Sequence, residues 1–259
     1  TQILSLTFLN FSTTFAQCVR FLIVHKMMLT ARKGLPGHAV YNRVRNASEL
    51  VVFINPATPK DKKELQAWLI RFMKDQGKTY RHPNTYDVSQ ITNMSDLFDQ
   101  DELREFNEPI GKWNVSNCTE MYRMFAKTTA FNQPIGDWKV DNVTNMNGMF
   151  INGEAFNQPI GKWNVSKVTD MNMMFLNAKA FNQPIGEWNV SNVTNMKQMF
   201  DESEAFNQPI DKWDLSNVTT TAMMFNSSKA FNQPIEEWDV SNVTEMRSMF
   251  YYSKAFNQP

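Results

Sequence analysis

The chain of 259 residues carries 26 basic and 26 acidic side chains, so its formal net charge at pH 7 is zero. A balanced charge gives no electrostatic reason to expect nucleic acid or an anionic membrane as the partner. Hydrophobic residues make up 42% of the chain and aromatic residues 13%, a composition that excludes an intrinsically disordered protein.

Residues 1–46 form an N-terminal extension with few interpretable signals. Its two apolar runs, 3–11 and 15–29, are short, and charged residues interrupt the second. Neither run approaches the ~20 uninterrupted apolar residues of a transmembrane helix, and the order of charges differs from that of a signal peptide. We expect a helical or poorly ordered extension. A partial targeting segment, or a true start at Met27 or Met28, remains an alternative.

Residues 47–80 are predicted to cap the array that follows. A strand-like run at 49–54 precedes a helix that has Thr58 as its N-cap, Pro59 at its first position and Gly77 after its end. A cap is required because the first coil of a repeat array would otherwise expose its apolar edge. The apolar face of this helix, at spacings of three and four, consists of Leu65, Trp68, Leu69, Phe72 and Met73.

Residues 81–259 repeat a pattern of 25 residues. Phe recurs at this interval from Phe106 onward, and Trp recurs at the same interval from Trp113 onward. A constant period of about 20 to 50 residues is typical of a solenoid, in which each coil covers its neighbour. Tyr86 replaces Trp in a first, imperfect coil whose loop is two residues longer. Because the last repeat is truncated, we expect the chain to be a fragment of a longer protein.

Each coil is predicted to contain a short parallel strand and a short helix. Trp138 and Val140 alternate with polar neighbours, which is the period of a strand with one buried face. From Val143 to Phe150 the apolar residues recur at spacings of three, three and one, which suit one face of a two-turn helix. The predicted fold class is therefore an α/β solenoid of strand–helix coils behind a helical cap.

Two positions of the repeat alternate in charge from coil to coil. Parallel strands in neighbouring coils lie about 4.8 Å apart, so each column would place opposite charges side by side. We predict that these columns form ion-pair ladders between coils. The column before Trp reads Lys112, Asp137, Lys162, Glu187, Lys212 and Glu237. The second column reads Glu154, Lys179, Glu204 and Lys229.

Neither catalysis nor metal binding is supported by the sequence. His25, His38 and His82 lie outside the regular array, so no base recurs beside the many Ser and Thr hydroxyls. The recurring methionines are interpreted as core filler rather than a soft-metal stripe. The Asn after each repeated Phe is interpreted as a hydrogen-bond ladder rather than a calcium site. Cys18 and Cys118 give no disulfide framework, and Cys118 is expected to be buried. We expect no enzyme, no catalytic residue, no metal and no cofactor.

An interaction surface on the outward residues of the predicted strand is the remaining candidate site. Solenoids commonly bind through the face that their strands line. This face is polar, nearly neutral and low in aromatic residues, whereas interfaces favour Tyr, Trp and Arg anchors. A solvated face of a structural spacer therefore stays open beside a ligand face. The candidate residues are Lys112, Asn114, Asp137, Lys139, Lys162, Asn164, Glu187, Asn189, Lys212, Asp214, Glu237 and Asp239.

The repeated pattern Phe-Asn-Gln-Pro-Ile-Gly-x-Trp, followed by Val-Ser-Asn-Val-Thr-x-Met-x-x-Met-Phe, resembles the BspA-like leucine-rich-repeat surface proteins, with repeats of the bacterial surface-lipoprotein type. The resemblance covers residues 80–259. It implies a right-handed, leucine-rich-repeat-like solenoid, and for some members adhesion or host-protein binding.

On this resemblance we expect a non-enzymatic protein at the cell surface or secreted. It would bind another protein or surface macromolecule as a monomeric array, without nucleic acid and without a membrane span. The chain departs from the family pattern at Thr221, where the column otherwise has Met, and in lacking a clear signal peptide, lipobox or wall anchor. The alternative is a structural spacer or scaffold, cytoplasmic or virion-associated, with no ligand of its own.

Overall fold

A computed structural model describes residues 58–77 and 80–259. They belong to one compact unit, Thr58–Pro259. The predicted extension 1–46 and the strand-like run at 49–54 lie outside the described residues. Within the described part, no helix has the length and apolar character needed to cross a membrane.

The α-helix of the described residues, α1, spans Lys62–Asp75. It begins three residues later than the sequence predicts, so the assignment of Thr58 as N-cap is wrong. The carboxylate of Asp61 is the N-cap and accepts a hydrogen bond of 2.8 Å from the N–H of Glu64. A negative charge at this position also suits the positive end of the helix dipole. After Asp75 the chain turns at Gln76, whose φ of 55° is left-handed.

Helix α1 covers one end of the repeat array. Leu65, Leu69 and Phe72 on its apolar face are buried, as the spacing predicts. Trp68 packs edge-on against Tyr86, with ring centroids 5.5 Å apart. Tyr86 is itself buried, in the position that Trp occupies in later coils.

The polar side chains of α1 supply hydrogen-bond donors to the first coil. The ammonium of Lys62 donates to the carbonyl of Ser95 at 2.7 Å, and the amide of Gln66 donates to the carbonyl of Leu97 at 2.8 Å. In later coils the equivalent carbonyls accept from backbone N–H groups of the preceding coil. The helix thus satisfies acceptors that have no preceding coil.

Successive coils are joined by parallel β-bridges, one per coil. The bridged residues are Asn93, Glu120, Asn145, Asp170, Asn195, Thr220 and Glu245. Their interval is 27 residues at the first step and 25 at every later step, which agrees with the predicted longer loop of the first coil. A 3₁₀ turn at Asp101–Leu103 lies in this longer loop, and a second 3₁₀ turn at Pro83–Thr85 precedes Tyr86.

The stretch predicted to be a helix in each coil contains hydrogen-bonded turns instead. The N–H groups of Met146, Gly148 and Phe150 donate to carbonyls 24 residues later, at 2.8–3.1 Å, so they are not available to an α-helix. Gly148 and Asn152 have φ values of 60° and 57°, which a right-handed helix does not allow. The predicted burial of the apolar residues is nevertheless correct. The turns place the side chains of Val143, Met146, Met149 and Phe150 in the core, as a helix would have done.

The core consists of side-chain columns that run from coil to coil. Phe150 and Phe175 in one column lie 5.7 Å apart at an interplanar angle of 5°, and Phe156 and Phe181 in another lie 6.1 Å apart at 7°. Within a coil, Phe150 and Phe156 stack at 4.0 Å. Each pair at such separations contributes roughly 0.5–1.5 kcal/mol beyond the area that it buries.

Polar side chains form parallel ladders beside this core. The side-chain oxygen of Asn157 accepts a hydrogen bond of 3.0 Å from the backbone N–H of Asn182 and one of 2.9 Å from the amide of Gln183. The same contacts recur through the array from Asn107 to Asn257, which confirms the predicted asparagine ladder. The described residues thus form a stack of coils, while the α/β solenoid class stays a prediction.

Candidate interaction face

The twelve candidate residues occupy two exposed positions in each of six coils, and we call them the outer face. Trp138 and Val140 are buried, whereas Asp137 and Lys139 are exposed, and this alternation recurs at the six Trp positions; Val240, in the last coil, is an exposed exception. The prediction that the Trp column points inward is confirmed. The outer face therefore lies directly over the Trp column.

The backbone under the outer face does not form the hydrogen-bond ladder that the sequence assigned to it. The ladder between coils runs instead through the following stretch, from Thr144 to Asn152. Under the outer face, the indole N–H of each Trp donates to a carbonyl of the preceding coil. Trp163 reaches the carbonyl of Ile135 at 3.2 Å, and Trp238 reaches that of Ile210 at 3.0 Å. At this level of the array, the buried indole N–H groups make the hydrogen bonds between coils that were expected from strand backbones.

The column of the outer face that follows Trp caps local turns at most of its positions. The side-chain oxygen of Asn114 accepts from the N–H of Ser116 at 3.2 Å, and that of Asp214 accepts from Ser216 at 3.0 Å. Hydrogen bonds from the hydroxyl and backbone N–H of Ser216 lower the pKa of Asp214. Lys139 is the member of this column without such a role.

The column that precedes Trp forms one ion pair rather than a continuous ladder. Lys212 and Glu187 lie 2.8 Å apart, and this hydrogen bond raises the pKa of Lys212. The second predicted column forms separate pairs, with Lys179 on Glu154 at 3.1 Å and Lys229 on Glu204 at 2.8 Å. Exposed pairs are too weak to immobilise every long side chain, so isolated pairs replace the predicted ladders.

Four charges of the column before Trp have no ion-pair partner within 4 Å in the described part of the chain. They are Lys112, Asp137, Lys162 and Glu237, two of each sign. All four are exposed. The column before Trp therefore presents unpaired charge to solvent.

A groove of about 710 Å³ runs along the outer face over its first four coils. It is lined by glycine and proline from the Pro-Ile-Gly segment of each repeat, which we call the groove floor, and by charged residues of the column before Trp. The floor residues include Gly111, Gly136, Gly161, Pro134, Pro159 and Pro184. The groove was not predicted from the sequence, although the recurring Pro-x-Gly is a signal for it.

Glycine at the groove floor lets the next coil approach closely. A Cβ atom at Gly136 would lie 2.2 Å from the carbonyl oxygen of Pro159, and one at Gly161 would lie 2.3 Å from that of Pro184. In the last two coils of the outer face the same position carries Asp211 and Glu236. The groove floor therefore changes from glycine to acidic side chains along the array.

A comparison with protein families matches residues 70–186 and 155–259 to the family described as "Mycoplasma protein of unknown function, DUF285". Together the two matches cover the whole repeat array and the end of α1. The chain belongs to the DUF285 family. The searches of curated proteins and of solved structures found no match.

The described part of this DUF285 protein brings no metal-ligating set together. No group of three His, Cys, Asp or Glu side chains lies close enough to hold an ion among residues 58–77 and 80–259. The Nδ1 atom of His82 accepts from the N–H of Asn84 at 3.2 Å, and its Nε2 atom lies 3.3 Å from Glu108. His82 therefore has local structural contacts beside Phe72.

Proposed function

We propose that this DUF285 protein is a non-enzymatic repeat protein that mediates protein–protein or cell-surface interaction through its outer face. The single observation that carries the proposal is the presence of three exposed, unpaired charges, those of Lys112, Asp137 and Lys162, beside a groove with a glycine and proline floor. The face of a structural spacer, which contacts only water, is not expected to contain a groove with an apolar floor.

The proposal includes the architecture and the location of the protein. We propose a right-handed, leucine-rich-repeat-like α/β solenoid of the BspA-like surface type, at the cell surface or secreted. The coil-to-coil hydrogen bonds, the parallel aromatic columns and the family membership support this architecture. The repeat pattern quoted above supports the surface location.

The experiment compares binding of the fluorescently labelled full chain to cultured epithelial cells with that of two quadruple variants. The first variant changes Lys112, Asp137, Lys162 and Glu237 to Ser. The matched control changes Glu154, Lys179, Glu204 and Lys229 to Ser. Each variant removes two positive and two negative charges, so net charge is constant.

We expect the outer-face variant to lose at least about tenfold in cell binding, since charge complementarity governs association. The control should bind like the unmodified chain. Equal binding by both variants would refute the outer face as the site. Lack of binding by the unmodified chain would favour a second candidate, a structural spacer.

One observation favours that spacer. The Asn and Asp side chains of the column after Trp are engaged by local turns, as for Asn164 with Ser166. Residues used in this way contribute to the stability of the array and are less available to a ligand.

A further inference from the structure

We propose that the outer face binds the same face of a second copy of this chain, in an antiparallel dimer. The inference rests on the proposed function, because it names the partner of the same face. It replaces the monomeric array that the sequence alone favours. A closed dimer of this kind uses one patch twice, so the patch must be complementary to itself.

The charge order of the column before Trp meets this requirement. The column has six alternating charges, so a two-fold axis between its third and fourth members pairs every charge with its opposite. Lys162 then faces Glu187 of the second copy. Asp137 faces Lys212 of the second copy, and Lys112 faces Glu237 of the second copy.

The column after Trp is compatible with the same axis. Lys139 faces Asp214 of the second copy, and Asn164 faces Asn189 of the second copy. No position of either column meets a like charge in this arrangement. In a parallel arrangement in register with the two-fold axis along the column before Trp, every charge of that column would meet its own copy, and like charges in contact oppose association.

The charges and the groove of the outer face are also suited to contact with a second copy. The contact between Lys112 and Glu237 of the second copy breaks no ion pair of the described residues. The contacts of Lys162 with Glu187 and of Asp137 with Lys212 share their acceptor and donor with the intrachain pair between Glu187 and Lys212. The axis places the groove floor at Gly111 and Gly136 opposite the acidic side chains of Glu236 and Asp211 of the second copy. Side chains of one copy thus face the groove of the other.

The experiment measures the dissociation constant of the full chain by sedimentation velocity, in 0.1 M and 1 M NaCl. The variants are Lys112→Glu, Glu237→Lys and the double variant with both. Neither residue makes an ion pair with another of the described residues, and circular dichroism checks that each variant folds. Lys254→Glu, which makes the same charge change outside the outer face, is the matched control.

We expect dimers at 0.1 M salt and about tenfold weaker association at 1 M, because the screening length falls from about 10 Å to about 3 Å. Each single variant creates two like-charge contacts by symmetry, so its dissociation constant should rise about tenfold. The double variant should recover most of this loss, since the pair is restored with its signs exchanged.

A monomeric chain at 100 µM would overturn the inference, as would a double variant no better than the single variants. The two proposals fail separately. A monomer that still binds cells through the outer face would refute self-association and leave the proposed function intact. A dimer whose chain binds no cell surface would support the inference while refuting the wider role.

Discussion

Asparagine is the residue on which the hydrogen bonding of this array depends most. Each repeated Asn after Phe gives one side-chain oxygen to two donors of the next coil, as Asn182 does to Asn207 and Gln208. The oxygen thereby accepts a hydrogen bond from a backbone N–H in a part of the coil that has no β-bridge to its neighbour. This accounts for the recurrence of Asn-Gln at one position of the repeat.

Replacing Asn182 by Ala should destabilise the protein by about 1–3 kcal/mol, because a part-buried backbone N–H loses its acceptor. The measurement is urea unfolding followed by circular dichroism. Asn182→Asp is the control, since a carboxylate oxygen can accept both hydrogen bonds. An Asp variant as unstable as the Ala variant would contradict this explanation.

Cys118 is a buried thiol in a column that otherwise has Val, as the sequence predicts. Burial raises its pKa from 9.0 to about 11, although backbone hydrogen bonding at Glu120 and Met94 opposes the shift. Between these two values the unfolded thiol ionises while the folded thiol stays neutral. Stability should therefore fall as pH rises through this window.

The expected loss from Cys118 between pH 8 and pH 10 is about 1 kcal/mol. It is measured as the difference between the unmodified chain and Cys118→Val, each unfolded in urea at both pH values. The Val variant keeps all other titrating groups, including Tyr86, whose pKa burial also raises to about 12. Equal pH dependence of the two proteins would show that the thiol is not protected.

At the scale of elements, α1 satisfies hydrogen-bond acceptors as well as covering apolar surface. The carbonyls of Ser95 and Leu97 receive donors from Lys62 and Gln66, and this polar contact cannot be recognised from the apolar spacing of the helix. A cap of such an array thus needs donors at fixed positions on its buried side.

Replacing Gln66 by Leu should destabilise the protein by about 1–2 kcal/mol, since the change keeps the bulk and removes the donor. Lys63→Ala on the exposed side of α1 is the control and should change stability by less than about 0.5 kcal/mol. Urea unfolding measures both. A neutral Gln66→Leu would mean that water serves the Leu97 carbonyl equally well.

At the scale of the whole molecule, each coil contacts its two neighbours, and the contacts repeat at one interval. The stability of such an array is approximately the sum of the coils and their interfaces. The aromatic columns, the asparagine ladder and the β-bridges all keep the interval of 25 residues after the first coil. The aromatic stacking, the side-chain hydrogen bonds and the β-bridges therefore all depend on the same interval of 25 residues.

Deletion of residues 157–181 should leave a folded protein, because it removes 25 residues and keeps every column in register. The urea dependence of its unfolding free energy should decrease with the surface removed. Deletion of 157–180 is the matched control, and it leaves 26 residues in the coil at the junction while the later coils keep their interval of 25. It should be less stable in urea than the 25-residue deletion, and equal stability of the two variants would contradict the dependence on register.

Particular residues made it possible to predict from the sequence which side chains are buried and how long each repeat is. The alternation around Trp138 and the spacing from Val143 to Phe150 correctly indicated which side chains enter the core. The same spacing predicted a helix wrongly, because tight turns with left-handed residues such as Asn152 satisfy it equally well. The twelve residues of the outer face were predicted as exposed, but the groove beneath them was not.

The amino-acid sequence by itself determined the repeat, the inward and outward positions and the columns of like residues, because these follow from hydrophobicity and a constant interval. Only the tertiary structure decided which backbone groups pair, which charges stay unpaired and where glycine opens a groove. These depend on partners about 24 to 28 residues away along the chain, and no local pattern specifies the distance between two coils.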